Sequence, residues 1–197
     1  MIPVVVSSER VTLDSLLPSD TDAILHYCQD SEIQRWVHVP SPYRREDAAY
    51  FTGGYATAAA GSAEITIWGI RVRGELTGLI ELRHEPLRSA TVGYWLGHEH
   101  RGQKIMSEAL QVLVEYAFDP QGLALDRIHW ESFVGNYASA IVARRNGFRF
   151  EGTMRQSAVH RDHRVDTWHA SLLRTDDRTD NHTDEPRGER SNEGWPL

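Results

Sequence analysis

The chain has one cysteine, Cys28, so no internal disulfide can form, which suits a reducing compartment. No stretch approaches the roughly 20 apolar residues that a membrane span needs. Met1 to Arg10 carries neither a basic region nor a long apolar run, so no signal peptide is expected and the reading is cytoplasmic. A surplus of positive charge is missing too. The formal net charge is -7, which argues against a general nucleic-acid binder. That acidity leaves two readings open, attraction of basic protein substrates or plain solubility. There is no internal repeat. Without a Gly-x-Ser-x-Gly segment, a serine nucleophile on a strand-to-helix elbow is not expected. His98-Glu99-His100 and His160-Arg161-Asp162-His163 could offer ligand atoms. No further Cys or His stands at a recognisable ligand spacing, so no metal is expected. From Arg174 to Gly194 the chain has no Val, Ile, Leu, Met or Phe. Such a segment cannot offset its own ordering entropy, so residues 174–197 read as a polar, flexible tail behind a domain at 1–173.

What remains is 197 residues with 40% hydrophobic and 25% charged content, one soluble globular domain. Alternation over Arg10 to Leu17 predicts a first strand. Pro18-Ser19-Asp20 opens a helix in which Ser19 and Asp22 resemble a capping box. Ile33 to Tyr43 is irregular, and a second helix runs from about Arg44 to Ala60, weakened by Gly53-Gly54. Strands follow at Glu64 to Val72 and Leu76 to Arg83, around a turn at Arg73-Gly74-Glu75, and at Ser89 to Leu96. A long helix spans Gly102 to Phe118, with Ile105, Ala109, Val112 and Tyr116 on one face. Arg127 to Phe133 is a strand. Asn136 opens a last helix that Gly147 stops. Phe148 to Thr153 and Val165 to Leu173 are the final strands. The order β-α-α-β-β-β-α-β-α-β-β predicts an α/β (α+β) domain: a mixed, mostly antiparallel sheet with helices on both faces.

The stretch Arg101-Gly102-Gln103-Lys104-Ile105-Met106-Ser107-Glu108-Ala109-Leu110 is the most informative. A strand, then a short loop opening a helix, aims several backbone N–H groups at one spot, where the helix dipole adds positive potential. Arg101 and Lys104 add full charges. The loop suits a pyrophosphate.

That loop resembles the cofactor motif of the general-control-related N-acetyltransferase (GNAT) superfamily, and more narrowly its RimJ/RimL-type ribosomal-protein N-terminal acetyltransferases. The resemblance covers about Ser8 to Leu173. It also rests on Trp36-Val37-His38-Val39-Pro40-Ser41-Pro42-Tyr43, on Gly93-Tyr94-Trp95-Leu96-Gly97, and on Gly135-Asn136-Tyr137-Ala138-Ser139 with Arg144-Arg145-Asn146-Gly147-Phe148 and Glu151-Gly152. Arg101 fills the first place of the family's motif and Met106 the last, but Lys104 stands where the motif has Gly. A lysine fits there if its φ is negative and its side chain leaves the loop, where it could pair with a phosphate; a positive φ would strain the site and lower cofactor affinity. Retained binding is expected.

The resemblance implies acetyl transfer from acetyl-CoA to an amine, most directly a protein N-terminal α-amine, by direct attack without a metal. Leu96, Arg101, Gly102, Gln103, Lys104, Ile105, Met106 and Ser107 would hold the cofactor, with Asn136 near its pantetheine arm and Arg145 beside it. The alternatives are a small-molecule amine acetyltransferase and a non-catalytic CoA-binding sensor or partner-binding protein; a homodimer is a further expectation.

The departing thiolate needs a proton. The place of the family's usual Tyr is Ala143; the resemblance to RimL-like members, with a Ser three residues after the Asn, implies Ser139 as the acid. Read from the residues alone, Ser139 is equally an ordinary first-turn serine. No base stands at the family's positions, which hold Ala158 and Thr91. Glu81, His84, Glu85, His38 and Glu131 remain, none at a motif position. The loop with Trp36, Pro40, Pro42 and Tyr43 reads either as one wall of the acceptor pocket or as a packed aromatic loop; Trp36 and Tyr43, with Glu81, are assigned to the pocket. An α-amine has an unperturbed pKa of about 7.7–8.0 against about 10.4 for lysine. About a third of α-amines are therefore neutral at pH 7.5, and the absent base favours an N-terminal amine.

Overall fold

The computed structural model describes residues 3–177 and 194–197. A short strand β1 (Val6–Ser7) pairs with β2 (Val11–Asp14). A 3-10 turn at Pro18–Asp20 leads to helices α1 (Thr21–Cys28), α2 (Ser31–Trp36) and α3 (Arg45–Tyr50). A π-helical segment, Phe51–Tyr55, joins α3 to α4 (Ala56–Gly61). Then come β3 (Ile65–Val72), β4 (Glu75–Glu85) and β5 (Ser89–Leu96), followed by α5 (Ile105–Phe118), β6 (Arg127–Phe133), α6 (Tyr137–Arg145), β7 (Arg149–His160) and β8 (His163–Leu173).

The eight strands form one sheet in the order β1-β2-β3-β4-β5-β6-β8-β7. Among the described residues only the β5–β6 pair is parallel, as a crossover through α5 requires. Alternation along the strands divides the core. Trp68, Ile70, Ile80, Leu82 and Val92 point to one face, packed under α5 and α6. Ile67, Leu79 and Trp95 point to the other, packed under α1 to α4. Ala109, Leu110 and Leu113 of α5 are fully buried. A leucine buried to that degree contributes about 1.5–3 kcal/mol.

Most sequence-predicted elements stand within a few residues of their expected bounds. The weak point at Gly53-Gly54 is the π segment itself. Four expectations are corrected. Ile33 to Tyr43 is not all irregular: it begins inside α2, which Asp30 caps by accepting from the Glu32 N–H at 3.1 Å. Ser19 and Asp22 do not form a capping box. Asp20 instead accepts from the Leu17 N–H at 2.8 Å, and Asp22 pairs with Arg45 at 2.5 Å. The last hairpin is longer than expected, because β7 continues through two bulges to His160. The tail reading falls mostly on residues 178–193, outside those described, but its described ends are held. Arg174 bonds Asp126 through backbone and side chain, and Asp176 accepts from the Leu173 N–H. Trp195 is 8% exposed, packed against Trp130 and Phe150 at ring distances of 5.5 and 5.3 Å. An indole can bury a large apolar area from an otherwise polar segment.

Candidate active site

β5 and β6 pair over only four residue pairs, Ser89–Arg127 to Val92–Trp130. Beyond them β6 follows β8 as far as Phe133–Thr167, while β5 follows β4 as far as Leu96–Gly78. The sheet therefore opens into a wedge between Gly93–Leu96 and Glu131–Phe133. The Gly97 N–H bonds the Thr77 carbonyl at 2.9 Å, which makes Leu96–Gly78 a non-hydrogen-bonded pair of the antiparallel ladder. The backbone polar groups of Leu96, and of Tyr94 two residues earlier, therefore face away from β4, into the wedge. The departure of the chain at Gly97 depends on its missing side chain. A Cβ there would lie 2.4 Å from the Tyr27 ring.

The loop that follows reaches α5 through Gly102 and Lys104, both with left-handed backbone at φ +74° and +60°. A Cβ on Gly102 would meet nothing within 4 Å, so backbone there lies open to an approaching group. The N–H groups of Ile105, Met106 and Ser107 open α5 and have no carbonyl one turn back to bond. Ile105 and Met106 bury their side chains in the core, leaving only backbone to a ligand. One expectation about charge and one about backbone are corrected. The Arg101 guanidinium turns beneath the loop, donating to the Leu96 carbonyl at 3.1 Å and pairing with Asp30 at 2.5 Å. It holds the loop against α2 rather than lending the loop a spare charge. Gln103 bonds the Glu99 carbonyl at 2.9 Å. Lys104 does not take the negative φ that would suit it. A left-handed non-glycine residue costs about 1–2 kcal/mol. Lys104→Gly should accordingly raise stability by up to about 1 kcal/mol, part of the gain being offset by the extra freedom of glycine in the unfolded chain. A thermal melt of the two proteins checks this, and an unchanged or lower midpoint counts against a strained loop.

Ser139 sits in the first turn of α6. Asn136 is the N-cap, its Oδ1 accepting from the Ser139 N–H at 3.3 Å, as expected. The Ser139 Oγ accepts from Trp130 Nε1 at 3.0 Å and donates to the Tyr94 hydroxyl at 3.2 Å. The Tyr94 hydroxyl donates in turn to the Ser139 carbonyl at 3.0 Å. Burial pushes the Tyr94 pKa well above the usual phenol range, so it keeps its proton. Sequence reasoning missed Tyr94 and Trp130 as partners of Ser139. Period-two alternation puts both on the α6 side of the sheet, a usable signal, but their meeting with Ser139 depends on α6 packing. Ala143 is wholly buried. Arg145 stands exposed in the last turn of α6, at the opposite end from Ser139.

The acceptor-pocket residues divide. The Trp36 ring lies 3.7 Å from where a Cβ on Gly135 would be, which brings α2 against the turn before α6. Glu81 is 9% exposed, chelated by Arg83 at 2.7 and 3.0 Å, and lies over Gly93 where the strands separate. Tyr43 is corrected: it is 7% exposed, packed in the core beside Cys28. Burial, then the adjacent Cys28, pushes its pKa well up, and burial pushes the Cys28 thiol up to about 12. Neither group is presented to a ligand. His98 and Glu99 meet His26 of α1, with ligand atoms within 4.8 Å of one another, a meeting invisible to spacing along the chain. His26 already meets Glu99 at 2.6 Å as an exposed hydrogen-bonded pair.

The family model for the acetyltransferase (GNAT) domain matches residues 10–149. The ribosomal-protein-serine acetyltransferase of Escherichia coli (strain K12) is 42% identical over 90 residues, 45% of this chain and 49% of that protein. The chain spans about half the length of the curated relatives it matches. A solved acetyl transferase from Salmonella typhimurium, which modifies the N-terminal serine of a 50S ribosomal subunit protein, is 27% identical. It superposes with a TM-score of 0.73 over 87% of this chain and 98% of that one. RimL, a ribosomal alpha-N-protein acetyltransferase solved in complex with coenzyme A, is 26% identical, with a TM-score of 0.75 over 87% of this chain and 97% of that one. No helix among the described residues is long and apolar enough to cross a membrane.

Proposed function

Because the chain belongs to the GNAT acetyltransferase family, we propose that it transfers the acetyl group of acetyl-CoA to an amine, a protein N-terminal α-amine in the first instance. One observation carries the reading: β5 and β6 part after four residue pairs, and beyond that point the Ser139 hydroxyl meets the hydroxyl of Tyr94 on β5. The α5 amides and open backbone at Gly102 would hold the pyrophosphate. The arm of the cofactor would lie along the free edge of β5. The Leu96 N–H, facing the wedge, would steady the oxyanion as the amine attacks the thioester carbon. The Ser139 hydroxyl would turn from Tyr94 to the departing sulfur, with Trp130 still donating to the oxygen it leaves charged. The relatives that modify a ribosomal-protein serine support a protein α-amine as acceptor. Cytoplasmic residence and pairing into a homodimer belong to the same reading.

Ala143 and Ala158, which stand where the family has its usual acid and base, favour a second reading, a cofactor-binding protein without turnover. Acetyl-CoA at 100 times its Kd should stabilise the fold by about 2.7 kcal/mol, and a melt reads this directly. No shift at millimolar acetyl-CoA rejects both readings. A shift without acetylation of any peptide or small amine selects the second.

A further inference from the structure

On the face opposite Ser139, polar side chains from five strands join end to end. Thr91 Oγ1 donates to Glu85 Oε1 at 2.6 Å and meets His129 Nδ1 at 3.2 Å. His129 Nε2 meets His169 Nδ1 at 2.9 Å. His169 Nε2 meets Thr167 Oγ1 at 2.6 Å, and Thr167 Oγ1 meets Ser157 Oγ at 2.6 Å. The direction of every link follows from one end. A hydroxyl has one hydrogen, and Thr91 spends its own on Glu85. Its oxygen therefore accepts from His129 Nδ1–H. A neutral imidazole has one donor and one acceptor, so His129 Nε2 accepts from His169 Nδ1–H. By the same step His169 Nε2 accepts from Thr167, and Thr167 accepts from Ser157 at 2.6 Å, the shorter of the two bonds open to that hydroxyl, the other being to the Met154 carbonyl at 3.2 Å. All donors point from Ser157 towards Glu85.

Both ends, Glu85 and Ser157, are exposed, and they lie in different places. Thr167 is 3% exposed and is the cross-strand partner of Phe133, on the β6 side of the wedge. The Phe133 ring packs on His38 and His160, at 5.4 and 4.8 Å, so the Ser157 end adjoins the wall that carries Trp36 and His38.

We propose that this hydroxyl and imidazole chain conducts the proton of the acceptor amine from the wedge to solvent, taking the place of a single basic residue. The proposal rests on the acetyltransferase reading above. Ser157 takes one proton from the ammonium. Its own hydrogen passes to Thr167, and each link hands on the hydrogen it holds, until Glu85 gains one and releases it to water. The amine is left neutral with its lone pair free, and no group changes net charge once Glu85 discharges. Neutral imidazoles are required. Burial, then His169 and Arg127, hold the His129 pKa below its ordinary value, against the opposite pull of Glu131 and Glu85. The pair also lines a shallow depression of about 420 Å³ with Arg127 and Glu151.

His129→Gln and His169→Gln break conduction, since an amide cannot accept a proton on one atom and release it from another. Each should lower kcat at pH 7 by at least about tenfold, as expected for loss of proton transfer, with KM for acetyl-CoA unchanged. The deficit should vanish above about pH 9, where the α-amine, with a pKa of about 7.7–8.0, is already neutral. ¹⁵N NMR of ring-labelled protein at pH 7 should find both histidines as the Nδ1–H tautomer. An Nε2–H tautomer or an imidazolium at either position overturns the chain, as does a wild-type pH profile in both variants. Absence of turnover in the unaltered protein overturns the function itself; turnover with unaltered pH dependence in the variants overturns only the proton path.

Discussion

Ser139→Ala should lower kcat by roughly 10²-fold, about 2.7 kcal/mol of barrier, while leaving acetyl-CoA affinity nearly intact. The substitution removes one oxygen and keeps the helix. Asn136 still caps α6 through the Ser139 backbone N–H, and Tyr94 still bonds the Ser139 carbonyl. The lost group is the hydroxyl that accepts from Trp130 and donates to Tyr94. If its hydrogen goes to the sulfur only as the thioester breaks, kcat and kcat/KM fall together and the cofactor Kd stays put. Trp130→Phe keeps the ring and removes the N–H, so it should reproduce part of the loss. A turnover number for Ser139→Ala within twofold of the parent removes the residue from the chemistry. A weaker cofactor Kd with unchanged kcat would make it a binding residue.

Arg71→Met should cost about 3–5 kcal/mol of folding stability, a large share of the 5–15 kcal/mol typical of a domain. Arg71 leaves β3 to bind two carboxylates. Its Nε holds Asp14 at 2.7 and 2.9 Å, and its terminal nitrogens hold Asp20 at 3.0 and 2.9 Å. The Ser15 carbonyl accepts a further bond at 3.3 Å. The Asp20 hydrogen bond, opposed by burial and joined by Asp14, pushes the Arg71 pKa above its already high ordinary value. The guanidinium is therefore charged at every working pH. Asp20 is 7% exposed, so removing its partner leaves a carboxylate both unpaired and dehydrated. Arg71→Lys should recover little, because a point charge cannot fork across two carboxylates. The midpoint of urea unfolding measures both variants. A loss below 1 kcal/mol for Arg71→Met would mean that water reaches Asp20.

These two sites also show where reading from sequence stops. The β3–β4 hairpin was legible because its alternation is strong and Arg73-Gly74 supplies two left-handed residues for a tight turn. The α5 stripe was legible for the same kind of reason, as was the Asn136 cap. Local chemistry decides each of these. α2 was missed because its six residues are too few for a periodic signal, and what secures its start is Arg101, 71 positions away, bound to Asp30. The Tyr43 assignment failed because a tyrosine in an aromatic loop looks alike whether it faces a ligand or a core. Lys104 was recognised as a departure from the motif, but φ is not written in a residue name. The row from Glu85 to Ser157 could not be found along the chain at all. It depends on β8 lying between β6 and β7, and on the register that sets His129 diagonal to His169.

The four-pair join between β5 and β6 also has a mechanical meaning. The sheet is two slabs, β1 to β5 and β6 to β8, meeting along a short seam, like tongs held at the pivot. Ser8 and Arg10 both bond Glu108, which fastens α5 to the first slab, while the Tyr94–Ser139 bond reaches from the first slab to α6. Bending stiffness across such a seam rises steeply with its length. A ligand arm that bonds the free edge of β5 and fills the gap to β6 would lengthen the seam from four residue pairs towards the full strand. The bound protein should then flex as one plate, and amides of Glu131 to Phe133, remote from the pyrophosphate loop, should exchange their hydrogens more slowly.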